Sequence, residues 1–152
     1  MKYKSLREIA DKWFDKTVPY PVPDPNKLQG HCVQFIRFCL RDLYCLPNWD
    51  NVTGAADFWQ AYERDKNINL HWDKIPNTPS LIPKEHDVCI WNKNKGGGYG
   101  HIAIVYGGHQ SVQMLTSIES NWKPFKVSIV THNYNDVLGF FRRKQPGIPG
   151  KI

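Results

Sequence analysis

The chain has 152 residues, 41% of them hydrophobic and 22% charged, enough for one domain with a real core and too apolar for disorder to dominate. The formal net charge is +6, a balance that draws a protein toward polyanions such as nucleic acid, anionic membrane or an acidic wall. The basic residues are scattered, with Arg142-Arg143-Lys144 the densest run, and no arginine-rich stripe interleaved with aromatics marks nucleic-acid readout.

In chain order, Leu6, Ile9, Ala10, Trp13 and Phe14 form a helical stripe over residues 5–16, with Ser5 as N-cap and Glu8 completing a capping box. Pro19, Pro21, Pro23 and Pro25 then enforce an extended connection. A second helix is predicted from His31 to about Cys45, carrying Cys32, Phe35, Ile36, Cys39, Leu40 and Leu43 on one face. A third, short one follows Gly54, burying Ala55, Phe58, Trp59 and Tyr62. From residue 86 the pattern turns to short strands at 87–91, 101–106, 112–119, 125–131 and 137–142, separated by glycine turns. Helices first and strands second predict an α+β domain, N-terminal helices on a C-terminal antiparallel sheet. The domain is expected to cover residues 1–144, with 145–152 a Pro/Gly-rich tail or linker. No stretch approaches the ~18 apolar residues of a membrane span. No signal peptide is recognisable, so synthesis in the cytoplasm is expected.

Four cysteines, at 32, 39, 45 and 89, lack the Cys-x-x-Cys spacing of a zinc site. Cys39 and Cys89 sit in apolar patterns and read as core. Cys32 differs, because it opens a helix two residues after Gly30. There the unpaired backbone amides and the helix dipole favour a thiolate and can hold an oxyanion. Position alone leaves a small buried residue about as good a reading. A nucleophilic cysteine needs a base. His31 diverges from Cys32 by ~100° on the helix, and His71, His86, His109 and His132 lie at turns or segment edges, where solvated histidines are usual. His101 opens a strand after the glycine-rich loop 96–100, sharing a face with Ala103 and Val105. Glu119 and Asn121, two apart on the next strand, are expected to point to one side and to orient that imidazole.

The order Gly-x-Cys, Gly-His, Glu-x-Asn resembles a CHAP domain, the cysteine- and histidine-dependent amidohydrolase/peptidase family, over residues 20–143. The matching pieces are Gly30-His31-Cys32, Gly54-Ala55-Ala56 with Trp59, Asp87-Val88-Cys89-Ile90-Trp91, Gly100-His101-Ile102-Ala103-Ile104-Val105, Glu119-Ser120-Asn121-Trp122 and Gly139-Phe140-Phe141-Arg142. His31 stands where the family commonly has Gln, and His86 where it has Gly. The resemblance implies a papain-like fold and cleavage of an amide bond in bacterial peptidoglycan. It implies Cys32 as nucleophile, His101 as base, Glu119 orienting His101 and Asn121 completing the polar cluster. His31, Trp122 and Tyr99 are candidates for the substrate groove. Some phage members bind calcium just ahead of the nucleophile; residues 23–29 here offer a single carboxylate, so no metal or other cofactor is expected.

A phage endolysin or virion-associated lysin is the implied setting, with holin pores or the virion supplying delivery to the wall. Anionic wall polymers are a second expected partner, nucleic acid is not, and a monomer is expected. Endopeptidase and N-acetylmuramoyl-L-alanine amidase both fit the chemistry. The alternative from another class is a non-catalytic wall-binding or phage tail structural module.

Overall fold

The computed structural model describes residues 2–19, 31–107 and 111–144. The proline-rich connection, Gly30, His109 and the C-terminal tail lie outside those residues, and with them the stretch on which the calcium expectation rests. Helix α1 (Leu6–Trp13) begins as expected: Ser5 Oγ accepts from the Glu8 amide at 3.1 Å. The Glu8 carboxylate reaches back one residue further than a capping box requires and accepts from the Lys4 amide. Helix α2 (Cys32–Cys39) continues as a π-helical turn over Leu40–Tyr44 and ends at Cys45, whose φ of 53° breaks the helix before Pro47. A 3₁₀ turn at Ala55–Asp57 leads into α3 (Phe58–Ala61), followed by α4 (Lys66–Asn69).

Six strands form one sheet: β1 (Trp72–Pro76), β2 (Val88–Trp91), β3 (His101–Val105), β4 (Met114–Lys123), β5 (Lys126–Asn133) and β6 (Val137–Arg143), in the spatial order β1-β6-β2-β3-β4-β5. Every strand pair is antiparallel, so the α+β architecture expected from the residue patterns is the one observed. Strand β1 and helix α4 were not anticipated. Trp72-Asp73-Lys74-Ile75-Pro76 has no clean alternation and carries a proline, which suits an edge strand whose outer side needs no ladder bond.

Alternation along the strands divides the apolar residues between two clusters. Val88, Ile90, Ile102, Ile104, Ile118, Val127 and Phe141 pack with α1 and α2 through Leu6, Ile9, Phe35, Phe38 and Cys39. Cys89, Trp91, Ala103, Val105, Leu115 and Phe140 fill the other face. Both cysteines read as core are fully buried. The side of β3 that carries Ala103 and Val105 is also the side of His101.

Three contacts explain why particular small or charged residues recur in the pieces quoted above. A Cβ on Gly100 (φ +83°) would stand 2.6 Å from the Ala56 amide nitrogen and 2.7 Å from the Trp91 carbonyl. The Gly54–Ala56 turn therefore presses directly on the loop that delivers His101, and the Ala56 amide donates to the Tyr99 carbonyl. In β6, a Cβ on Gly139 would overlap the Trp59 ring; its absence lets Trp59 stack on Phe141 with planes 7° apart. Asp87, buried at the start of β2, takes a two-pronged bond from Arg142 at 2.9 and 2.7 Å. That pair ties β2 to β6 and lies among structural residues. His86 adopts φ 75°, a conformation that suits glycine and explains the family's preference there; the Tyr44 hydroxyl meets its Nδ1 at 2.8 Å.

Candidate active site

Cys32 is the first residue of α2, with His31 as an extended N-cap (φ −70°, ψ 161°). A helix start aims its first-turn amides outward along the axis, and the half-buried Cys32 thiol stands at that start. His101 hydrogen-bonds Cys32 through its side chain. Its Nε2 lies 2.7 Å from Glu119 Oε2, which leaves Nδ1 for the sulfur. Glu119 has no exposed surface, and its second oxygen, Oε1, lies 2.8 Å from His132 Nε2. The result is a line of groups from α2, β3, β4 and β5: Cys32, His101, Glu119, His132.

Burial by itself lowers the basicity of His101. Hydrogen bonds to Cys32 and Glu119, with the negative charge at both, outweigh burial and push its pKa up to about 10. Burial likewise raises the Glu119 carboxyl, and the two imidazole hydrogen bonds more than reverse it, holding the group below the ordinary carboxylate value. Glu119 is therefore an anion at neutral pH. An ionised carboxylate only accepts, so both Nε2 atoms carry the proton in these bonds. On β2, the neighbour of β3, Cys89 is pushed up by burial and by the Glu119 charge, which keeps that thiol protonated and unreactive.

The remaining site candidates are placed around this line. Trp122 is half exposed, its ring centroid 6.0 Å from that of His101. Tyr99 is exposed at the end of the glycine loop, one residue before the Gly100–His101 step. His31 sets its ring edge against Phe125 at 5.4 Å, and its Nε2 is buried with no hydrogen-bond partner among the described residues. Asn121 departs from the expected geometry. Its φ is 70°, the β4–β5 register shifts between Ser120 and Lys123, and its carboxamide oxygen accepts from the Phe125 amide at 2.9 Å. The regular alternation that would have set it beside Glu119 is broken by that bulge.

His132 corrects the sequence reading. It was assigned with the solvated histidines at segment edges, yet it is 8% exposed and sits within β5. Its ring lies 4.8 Å from Trp91 and 4.8 Å, edge-on, from Trp122. The signal was a strand predicted two residues too short: counting by twos from buried Ser128 through Val130 reaches His132 on the same face. Among the described residues, no group of three or more His, Cys, Asp or Glu side chains is arranged to hold a metal ion.

Comparison with known proteins follows the same pieces. The sequence profile of the CHAP domain matches residues 23–121. The probable autolysin PH of Staphylococcus aureus (strain NCTC 8325 / PS 47) is 22% identical over 152 residues, 90% of this chain and 30% of that protein. Endolysin PlyTW of Staphylococcus phage Twort is 36% identical over 77 residues, 43% of this chain and 16% of that protein. The chain thus spans less than a third of the length of these two relatives. The crystal structure of the wild-type endolysin LysIME-EF1 superposes with a TM-score of 0.58 at 18% identity, covering 92% of this chain and 64% of that one, which is a likeness of fold. With the profile spanning more than half of its length and the helix-borne cysteine facing a strand-borne histidine, the chain belongs to the CHAP domain family.

Proposed function

We propose that this protein hydrolyses an amide bond of bacterial peptidoglycan, with Cys32 as nucleophile, His101 as proton carrier and Glu119 as the group that orients His101. The observation that carries the reading is the unbroken line from Cys32 through His101 to a fully buried Glu119. His101, whose pKa is about 10, carries its proton at neutral pH, and an imidazolium beside Cys32 favours attack by the sulfur as thiolate. The sulfur attacks the scissile carbonyl carbon, and the carbonyl π electrons move to oxygen. The Cys32 backbone amide, at the helix start, donates to that oxyanion. His101 passes its proton to the leaving nitrogen as the C–N bond breaks, leaving a thioester. Water then attacks the thioester carbon, giving one proton to His101; the C–S bond breaks with its electron pair returning to the Cys32 sulfur, and the acid, its second oxygen from water, loses its remaining proton to solvent and leaves as carboxylate.

The named relatives, one an autolysin and the others endolysins, support a wall substrate. The endolysin likeness also supports a phage lysin released through a holin pore or carried by the virion. Half-exposed Trp122, its ring near that of His101, and exposed Tyr99, two residues before His101 in the chain, fit a groove for a sugar–peptide strand, with His31 beside the nucleophile. A turbidity assay on several bacterial walls, wild type against Cys32→Ala, tests the mechanism. Clearing is expected with the wild type and lost in the variant; clearing that persists in Cys32→Ala overturns it. Mass spectrometry of the digested wall then separates an endopeptidase, which leaves new peptide ends, from an amidase, which frees the sugar–peptide link.

A further inference from the structure

The catalytic line does not stop at Glu119. We propose that His132 is a positioning residue for the reaction: by donating its Nε2–H to Glu119 Oε1 it fixes the carboxylate so that Oε2 keeps His101 aimed at Cys32. The proposal rests on the reading of Cys32, His101 and Glu119 given above and extends it by one residue. A carboxylate has two oxygens that interchange by rotation about its Cγ–Cδ bond. With only Oε2 held, that rotation would cost a single bond. With Oε1 held as well, at 2.8 Å against 2.7 Å for Oε2, both ends of the group are pinned from different strands, β3 and β5.

His132 is itself held. Trp91 contacts its ring at 4.8 Å and also lies 5.2 Å from His101, so one indole underlies both imidazoles. Trp122 packs edge-on from the exposed side, which limits the water that would compete for Oε1. The titratable groups around Glu119 are His101 from β3, His132 from β5, Cys89 from β2 and, through His101, Cys32 from α2. Two imidazoles donating to one buried anion also divide its hydrogen-bonding capacity. Removing His132 loosens the carboxylate and raises its affinity for a proton, and both changes weaken its hold on the His101 imidazolium.

The test compares His132→Phe and His132→Gln with wild type, reading clearing rate against wall concentration and pH, and the imidazole resonances by NMR. A glutamine amide reaches roughly where Nε2 stood and can still donate. His132→Phe is expected to lower the maximal rate by about 10- to 100-fold, with the half-saturating wall concentration unchanged and the alkaline limit of activity moved downward. His132→Gln is expected to restore the rate to within a few-fold. In the wild-type protein, His132 is expected as the Nε2–H form, with a hydrogen-bonded proton signal that disappears in Glu119→Gln; that measurement needs no His132 variant to fold. A wild-type rate and pH profile in His132→Phe, or a His132 protonated only at Nδ1, overturns the proposal. Cys32→Ala run alongside separates the failures. Clearing that survives in it removes the underlying reading, whereas clearing lost there but intact in His132→Phe removes the role of His132 alone.

Discussion

Glu119 holds a negative charge with no exposed surface, which two imidazole hydrogen bonds make tolerable. Replacing it with glutamine removes the charge and leaves one acceptor for two donors. By analogy with other base-orienting carboxylates, Glu119→Gln is expected to lower the clearing rate by roughly 10²- to 10⁴-fold. The His101 titration, followed by NMR, is expected to fall from about 10 toward the ordinary value. The same shifts set how stability depends on pH. His101 has a folded pKa raised above 6.5, so its contribution is complete below 6.5 and lost as pH rises through about 10. Glu119 has a folded pKa depressed below 4.5, so its contribution is complete above 4.5 and lost as pH falls through the depressed value. Both act in full between 4.5 and 6.5. Urea unfolding should therefore show the wild type's advantage over Glu119→Gln greatest in that window and much reduced above pH 10. An advantage of equal size at both ends contradicts the charge assignment.

Among the elements, β1 and α4 were the least legible in sequence, followed by the details of the β4–β5 hairpin, and the reasons are physical. Strand β3 was readable because Ile102 and Ile104 alternate with His101, Ala103 and Val105, a period that any two-faced sheet imposes. Helix α2 was readable from its apolar face and from Pro47 beyond its end. Strand β1 was not, because an edge strand with a terminal proline needs no such pattern. His132 was missed because its partner lies thirteen residues earlier on another strand, and single-strand periodicity does not report cross-strand bonds. Asn121 was placed beside Glu119 by a count of two that the bulge cancels. Its left-handed backbone and bond to the Phe125 amide make a sharper expectation. Asn121→Ala loses that bond and strains the backbone, and should destabilise the protein by about 2 kcal/mol in denaturant unfolding. Asn121→Asp keeps an acceptor and tolerates the same φ, so it should retain stability and most of the clearing rate. Loss of activity in a stable Asn121→Asp would instead show that the amide nitrogen is needed at the reacting pair.

At the scale of the whole molecule the relevant quantity is the excess of 20 Lys and Arg over 14 Asp and Glu. Arg142 with Asp87, Arg41 with Asp42, Lys74 with Glu63, Lys93 with Asp57 and Lys126 with Asp15 are among the ion pairs, so many of the acids are neutralised locally. The exposed pairs among them add little to stability, and the excess of basic residues leaves a molecule whose long-range field is positive. Such a field concentrates the protein near an anionic polymer and does nothing to select a bond within it. Wall association should therefore divide into a salt-dependent approach and a salt-independent groove contact. Screening shortens the reach of the field from ~10 Å at 0.1 M salt to ~3 Å at 1 M. Using Cys32→Ala so that the wall stays intact, sedimentation binding is expected to weaken by roughly tenfold across that range. Walls stripped of their anionic polymers should bind more weakly at low salt and show almost no further loss at high salt. If intact and stripped walls bind equally at low salt, the net charge has no part in reaching the substrate, and the groove around Trp122 and Tyr99 must account for all of the affinity.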